Sequence, residues 1–203
     1  MSKRTILNVW TALMLSILGV LSSCSLPYCK KIPFSKNDLS WMNPYLIGDT
    51  LIFANSENIE FDTIIVTQKI INNPSNTNIL NLEGCNWMEG DNEYKANAEY
   101  EFVIHHSGKI YKGMFILEKI NNADPAVVSF ALMGRYTKEP ISTSNIVRDL
   151  SDFPQYKWNI IVPESNLYSG KHQSVFPISI IYWNRDAGLI GYKTSLSCYK
   201  LIK

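Results

Sequence analysis

Apolar and polar side chains alternate with a period of two in one segment of the chain, and this pattern predicts a β-strand. The alternation is clearest over 98–105, where one set of side chains is apolar and the other is mostly polar. Ser107-Gly108 follows and predicts a tight turn to a return strand over 109–119, because glycine tolerates the positive φ that hairpin turns need. The apolar set comprises Ala98, Tyr100, Phe102 and Ile104, and the alternate set comprises Glu99, Glu101, Val103 and His105.

Further segments rich in β-branched and aromatic residues predict the remaining strands. A polar turn at 55–58 joins the first two of them. A single short helix is expected over 144–151, with Ser144 as its N-cap. Strands at this spacing predict an all-β fold, either an antiparallel β-sandwich or a partly open β-barrel with at most one short helix. The predicted strands are 49–55, 59–70, 126–134, 157–163, 175–183 and 188–202, and 80–88 is an ambiguous further segment.

The N-terminal pattern differs from that of the rest of the chain. Lys3 and Arg4 precede an uncharged, mainly apolar stretch over 6–21, and small residues follow it. A basic start, an apolar middle and a small-residue end are typical of a secretory signal peptide. A membrane-spanning helix is one alternative, but the stretch is shorter than the about 20 apolar residues that a span needs. A buried N-terminal helix is another, and it leaves the basic start unexplained.

The end of this stretch, Leu21-Ser22-Ser23-Cys24, resembles the lipobox of bacterial lipoproteins. The resemblance implies that the Cys24 thiol receives a diacylglycerol, that the signal is cleaved between Ser23 and Cys24, and that the new amine is acylated, for example with palmitate. A thiolate is a strong nucleophile near neutral pH, which suits such an acceptor. Two or three acyl chains would hold the protein on a bilayer almost permanently, since each buried CH₂ adds about 0.8 kcal/mol. An ordinary signal peptide with a chance cysteine is the alternative.

These patterns predict three parts: a cleaved signal peptide over 1–23, a tether over 24–43 and a single β-rich domain over 44–203. By the sorting rule of enteric lipoproteins, a residue other than aspartate after the cysteine, here Ser25, implies the outer membrane. The segment after Cys24 is basic, whereas some surface-exposed lipoproteins carry an acidic tract there. We therefore expect a lipid-anchored protein of the bacterial cell envelope, on the periplasm-facing leaflet of the outer membrane.

Two segments of the predicted domain resemble small, uncharacterised envelope lipoproteins of Bacteroidetes. They are PYLIGDTLIF at 44–53 and ISIIYWNRDAGLIGYKTSLSCYKLI at 178–202. Those proteins often begin with Gly-Asp-x-Leu-x-Phe and end with Gly-Leu-Ile, an aromatic residue and a closing Trp-x-Leu. Here 199–201 reads Tyr-Lys-Leu, which departs from that closing pattern. The resemblance implies a β-rich, lipid-anchored domain and carries no activity with it.

Charge and cysteine content limit the function classes. The chain has 19 basic and 18 acidic side chains, so it presents no electrostatic case for binding nucleic acid. With Cys24 acylated, three thiols remain in an oxidising compartment, which allows at most one internal disulfide. Cys85 with Cys198 is the candidate pair, because Cys29 lies in the tether. Two small, buried, unpaired thiols are the alternative.

The candidate metal ligands and nucleophiles form no recognisable motif. His105 and His106 are adjacent, so on a strand they point to opposite faces and are expected to be surface residues beside the turn. A site that joins one of them to His172 is the alternative, without ligand spacing to favour it. The loop GDNE at 90–93 lacks the spacing of a calcium site. The segment LYSGKHQS at 167–174 lacks the Gly-x-Ser-x-Gly elbow of a hydrolase.

Aromatic residues are the remaining candidates for a binding surface. They could line a groove for a glycan or a lipid, but large aromatic side chains more often pack in a core. We expect a non-enzymatic binding or interaction module, without a cofactor, whose partner is a protein, glycan or lipid. A carrier with an apolar cavity and an envelope hydrolase are the alternatives. The candidate aromatic residues are Trp41, Tyr45, Trp87, Trp158, Tyr182 and Trp183.

Overall fold

The computed structural model describes residues 29–74, 92–170 and 176–203. They belong to two compact units. The described part of the first unit is 29–30 and 92–94, where Lys30 Nζ and Glu93 Oε1 form an exposed ion pair at 2.7 Å. The other described residues belong to the second unit. The signal peptide, the lipobox and the segment at 80–88 lie outside the described residues.

Strands dominate the described residues, which confirms the predicted all-β class with one short helix. The helix, α1, spans Lys36–Leu39, and 3₁₀ turns span Ser40–Met42 and Glu164–Asn166. The strands are β1 Cys29–Ile32, β2 Thr50–Ala54, β3 Phe61–Asn72, β4 Asn92–Lys95, β5 Asn97–His106, β6 Lys109–Glu118, β7 Val127–Leu132, β8 Arg135–Thr137, β9 Ile141–Ser142, β10 Asn159–Val162, β11 Leu167–Ser169, β12 Ile178–Asn184, β13 Gly188–Thr194 and β14 Cys198–Leu201.

One large antiparallel sheet makes up most of the second unit. Its strand order is β10-β12-β13-β14-β2-β3-β5-β6-β7-β8-β11, and β9 pairs with β7. The two end strands, β10 and β11, are joined by residues 163–166 alone. So short a connection spans at most about 18 Å. The sheet must therefore curl until its ends lie near each other, as in a nearly closed, partly open β-barrel. Strands β1 and β4 pair separately.

The predicted hairpin lies near the middle of this sheet. Strands β5 and β6 pair along their whole length, from Asn97 opposite Glu118 to His106 opposite Lys109. The turn residues Ser107 and Gly108 both have positive φ, +46° and +73°. Two such residues define the type I′ turn, whose twist matches that of the flanking strands. The alternation of buried and exposed side chains along β5 is as predicted.

Aromatic rings fill the interior of the sheet. Phe115 and Trp183 stack with their ring centroids 4.0 Å apart and their planes within 5°. Tyr45 packs edge-on against Trp183 and donates a hydrogen bond from its hydroxyl to the Ala187 carbonyl. Burial raises the pKa of the Tyr45 hydroxyl, so it stays protonated as a donor. Stacked and edge-on pairs of this kind add about 0.5–1.5 kcal/mol each beyond area burial.

The segment between β9 and β10 covers the outer face of β12 and β13. Leu150 and Phe153 are buried there against Tyr182 and Ile190. The helix predicted over 144–151 is wrong, because Val147 exchanges backbone hydrogen bonds with Asn159 of β10 instead of with its own segment.

The predicted tether is also too long. Trp41 and Met42 are almost fully buried in the hydrophobic core, and Ile32 is also fully buried, although all three lie within 24–43. The N-cap of α1 is Ser35, which forms a capping box with Asp38 and starts the helix. The packed domain therefore begins about a dozen residues earlier than expected, near Ile32, because apolar residues without periodicity can still be buried in short, irregular turns.

Candidate functional site

The tip of the β5–β6 hairpin brings together an aspartate, a histidine and a serine. His106 Nδ1 lies 2.7 Å from Asp62 Oδ1 of β3. On the other side of the imidazole ring, Nε2 lies 3.2 Å from Ser107 Oγ. Asp62 is 1% exposed and His106 is 7% exposed, whereas Ser107 is on the surface. The three side chains thus form a chain of polar contacts from the core to solvent.

Tyr192 of β13 completes the surroundings of the buried carboxylate. Its hydroxyl donates a hydrogen bond to Asp62 Oδ2, the oxygen that His106 does not contact. Burial, together with the negative charge of Asp62, raises the pKa of the Tyr192 hydroxyl, so it remains a proton donor. Both oxygens of Asp62 are therefore occupied, and its orientation is fixed.

Aromatic rings hold the imidazole ring in place. The ring centroid of Phe176 lies 4.1 Å from that of His106, and Tyr199 packs edge-on at 5.8 Å. Tyr199 is itself stacked on Tyr192 and donates a hydrogen bond to Glu60 Oε2 at 2.7 Å. Packing of this kind limits the imidazole ring to one orientation between Asp62 and the serine.

The protonation pattern follows from the donor inventory. A carboxylate only accepts hydrogen bonds, so in the tautomer assigned from these contacts the ring proton of His106 is on Nδ1, which donates it to Asp62. The lone pair of Nε2 then faces the Ser107 hydroxyl, which donates to it. This is the arrangement of a general base beside a nucleophile, with a carboxylate that orients the base.

The sequence prediction for this histidine pair is half right. His105 is exposed, as expected, whereas the expectation that His106 lies on the surface is wrong. The alternation that buries Tyr100 and Ile104 extends by one more step to His106, so the pattern contained the signal. The contact with Asp62 could not be read from the sequence, since it depends on the register between β3 and β5. His172 lies outside the described residues.

A groove of about 390 Å³ runs over the outer face of β5, β6 and β7. Val103, Met114 and Ala131 line its apolar floor, and Glu101 and Lys112 flank it. Neither of these two charged side chains forms an ion pair within the described part of the chain. The size of the groove lies in the range of small-ligand sites, about 300–1,000 Å³.

A second, more open groove of about 380 Å³ surrounds Trp158. This residue has a φ of +65°, which is strained for a large side chain. Arg185 donates its backbone N–H to the Trp158 carbonyl at 3.1 Å, and this bond helps to hold the strained backbone. The guanidinium carbons of Arg148 and Arg185 lie 5.0 and 4.7 Å from the centre of the indole ring. Two cation–π contacts therefore engage the ring already.

The structure assigns most of the candidate aromatic residues to packing. Trp158 is half-buried and borders an open groove. Trp87 lies outside the described residues. The packing alternative holds for the buried members of the set, which are Trp41, Tyr45, Tyr182 and Trp183.

Of the two cysteines in the candidate disulfide, only Cys198 lies in the described residues. It is a free, half-buried thiol in the structure, as the unpaired alternative expects, and burial raises its pKa. Cys198 is therefore not part of a disulfide in the structure, and its candidate partner Cys85 lies outside the described residues. Cys24 and the cleavage position after Ser23 also lie outside them, so lipid attachment stays a prediction.

The other candidate segments are only partly described. In the loop GDNE at 90–93, Glu93 pairs with Lys30, and 90–91 lie outside the described residues. In 167–174, residues 167–169 form β11, and 171–174 lie outside. Over the described ranges, no three His, Cys, Asp or Glu side chains come together in a way that could hold a metal ion.

Comparisons with known proteins add no relative. None of the helices in the described part of the chain has the length and apolar content to cross a membrane. No family model matches the chain, and no match is found among the curated proteins or the solved structures.

Proposed function

We propose that the chain is a lipid-anchored cell-envelope protein whose β-rich domain acts as a binding module. The observation that carries the anchor is the sequence Leu21-Ser22-Ser23-Cys24 at the end of a basic and then apolar N-terminal segment. The diacylated Cys24 would be the first residue of the mature chain, on the periplasm-facing side of the outer membrane. A packed domain that begins near Ile32 leaves few residues between the lipid and the sheet.

Metabolic labelling with an alkyne fatty acid in a bacterial host tests the anchor. We expect the wild-type chain and Cys29→Ala to be labelled and to enter the detergent phase of a Triton X-114 extraction. Cys24→Ala should lose both properties, because it lacks the acyl acceptor. Cys29→Ala is the matched control, since its cysteine lies five positions further on and outside the lipobox. Equal labelling of Cys24→Ala and the wild type would rule the anchor out.

The outer-face groove supports the binding role better than the interior does. Its apolar floor lies between the Glu101 carboxylate and the Lys112 ammonium group, neither of which forms an ion pair within the described residues. Such a surface suits a ligand with an apolar body and a charged group. The carrier alternative receives less support, because stacked and edge-on aromatic rings occupy the interior of the described sheet.

The dye 1-anilinonaphthalene-8-sulfonate, which has an apolar body and one negative charge, is a suitable probe of this groove. We expect the folded protein to increase the dye's fluorescence, and Met114→Glu to weaken binding about tenfold by placing a charge on the floor. Ile110→Glu on the same strand is the matched control, because Ile110 is exposed and lies outside the groove. Equal loss in both variants, or no loss in Met114→Glu, would contradict binding in the groove.

A further inference from the structure

We infer that Ser107 is a nucleophile that reacts with esters, with His106 as its general base and Asp62 as the positioning residue. The observation is one continuous line of contacts, 2.7 Å from Asp62 to His106 Nδ1 and 3.2 Å from His106 Nε2 to Ser107 Oγ. Such reactivity goes beyond the anchored binding module and departs from the non-enzymatic role that the sequence predicts.

The burial gradient along this line favours activation of the serine. Asp62 lies in the core, where its charge acts through a low dielectric on the imidazole ring. Ser107 lies on the surface, where a ligand can reach its hydroxyl. The charge that develops on His106 as it takes a proton is stabilised by the carboxylate behind it. A histidine with a solvated carboxylate would gain much less from the pair.

The backbone at the serine is strained, as it often is at reactive residues. Ser107 has a φ of +46°, in a region where side chains other than glycine, asparagine and aspartate cost roughly 1–2 kcal/mol. The hairpin would form with less strain if glycine stood there. Strained residues that the surrounding structure holds in place cluster at functional sites. Here the residue with this φ carries the Oγ that lies 3.2 Å from the imidazole of the preceding residue.

The reaction that fits these groups is acyl transfer from an ester to the serine, followed by hydrolysis. The Ser107 hydroxyl gives its proton to His106 Nε2 while Oγ forms a bond to the carbonyl carbon. The bond from that carbon to the alkoxy oxygen breaks, and the leaving alcohol takes the proton back from Nε2. A water molecule then gives a proton to His106 Nε2 and bonds to the same carbon, the bond from that carbon to Ser107 Oγ breaks, and Oγ takes the proton back. One ester and one water thus give one acid and one alcohol.

In the proposed reaction, negative charge develops on the carbonyl oxygen of the ester, and the backbone amide that follows the serine is a donor for it. Within the described residues, the Gly108 N–H makes no hydrogen bond. The amide after the nucleophile is one of the donors that stabilise the oxyanion in serine hydrolases with a strained nucleophile turn. A water molecule or another group brought near by the bound ester would supply the second hydrogen-bond donor to the oxyanion. We therefore expect slow turnover with activated esters such as p-nitrophenyl acetate.

A fluorophosphonate probe tests the nucleophile directly, with the intact mass of the whole chain as the readout. We expect one phosphonyl group per wild-type chain, located on Ser107 by peptide mass spectrometry. Ser107→Gly should not be labelled, and it should be at least as stable as the wild type, because glycine relieves the positive φ. Ser56→Gly is the matched control, since Ser56 is an exposed serine in the turn before β3 and has no histidine partner.

Two further variants distinguish activation from mere exposure of the hydroxyl. His106→Gln should slow labelling about 10²–10⁴-fold, the usual contribution of a general base. Asp62→Asn should slow it less and should change the pH dependence of the labelling rate, because the orienting charge is lost. Circular dichroism and thermal unfolding identify any variant that fails to fold. If His106→Gln or Asp62→Asn does not fold, the labelling of Ser107→Gly still tests the nucleophile. An unlabelled wild type, or equal labelling of Ser107→Gly, would overturn the inference and leave the Cys24 anchor untouched.

Discussion

At the scale of single residues, a buried ion pair secures the N-terminal part of the domain to the sheet. Lys119 Nζ donates to Asp38 Oδ2 at 3.0 Å and to the Asp124 carbonyl at 2.7 Å. Ser35 and the Ala126 N–H also donate to the Asp38 carboxylate. Burial alone would raise the pKa of Asp38, but these hydrogen bonds outweigh it and hold the pKa below its ordinary 3.8.

Asp38→Asn should be strongly destabilising at neutral pH. It leaves the Lys119 ammonium buried without its counter-charge, a loss that typically costs about 3–5 kcal/mol. Because the folded-state pKa of Asp38 is lowered, its contribution is fully present above the unfolded-state pKa and is lost as the pH falls through the folded-state pKa. Urea unfolding at pH 7 should therefore separate the variant from the wild type, and unfolding near pH 3 should bring the two closer together.

The matched control is Asp149→Asn, since Asp149 is an exposed aspartate. Its free energy of unfolding should stay within about 0.5 kcal/mol of the wild type. A difference between Asp38→Asn and the wild type that does not change from pH 7 to pH 3 would mean that packing, and not charge, makes Asp38 important.

The burial of Asp62 and His106 could be predicted from the sequence, but the contact between them could not. The period of two places His106 on the buried face of β5, and it likewise places Asp62 with Ile64 and Val66 on the buried face of β3. The 2.7 Å contact between Asp62 and His106 depends on which residues of the two strands lie opposite each other. The register shifts between Val66 and Gln68, and no local sequence pattern predicts this shift.

At the scale of elements, glycine makes room for the segment that covers β12 and β13. A Cβ atom on Gly191 would lie 2.5 Å from Phe153 Cζ and 2.6 Å from the Tyr199 carbonyl oxygen. Phe153 is 1% exposed, so its ring has little space to move away. The absence of a side chain at Gly191 thus lets the covering segment approach the sheet backbone.

Gly191→Ala should lower the free energy of unfolding by about 1–3 kcal/mol, the usual cost of overpacking. Part of the clash is with a backbone oxygen, which cannot rotate away as a side chain can. Thermal unfolding followed by circular dichroism measures the loss, and a domain of this size loses roughly 2–4 °C per kcal/mol.

Gly113→Ala is the matched control for this change. The Cβ there would meet the ends of two flexible side chains, Ile104 Cδ1 at 3.0 Å and Leu132 Cδ1 at 3.2 Å. We expect a smaller loss, because those methyl groups can shift by a few tenths of an ångström. Equal losses in the two variants would mean that the covering segment is not tightly packed at Phe153.

Elements with regular periodicity were predicted better than irregular ones, for a physical reason. The hairpin of β5 and β6 has a pattern and a turn that agree, and both were predicted to within about a residue. The covering segment at 144–158 and the N-terminal segment at 31–43 are buried by tertiary contacts, such as those of Leu150 and Trp41. Such contacts leave no period in the sequence, so the sequence predicts a helix and a tether in their places.

At the scale of the whole described sheet, two regions of its outer face differ. Residues between β9 and β10 cover the outer face of β12 and β13, whereas the outer face of β5, β6 and β7 carries the open groove. The hairpin tip with Ser107 belongs to a third region, at the end of the strands. The sheet therefore separates a covered face, a face with an open groove and a hairpin tip that carries the Asp62–His106–Ser107 contacts.

The position of β14 in the sheet has a consequence for the order of folding. Leu201 of β14 pairs with Phe53 of β2, so the last strand of the chain lies between β13 and the first strand of the sheet. Before β14 is synthesised, β2 and β13 have no strand to join them. Contacts between such distant positions form slowly, because most of the chain must be ordered to close the loop. A chain shortened before Cys198 would therefore be unable to complete the sheet, because β2 and β13 would each lose the strand that lies between them.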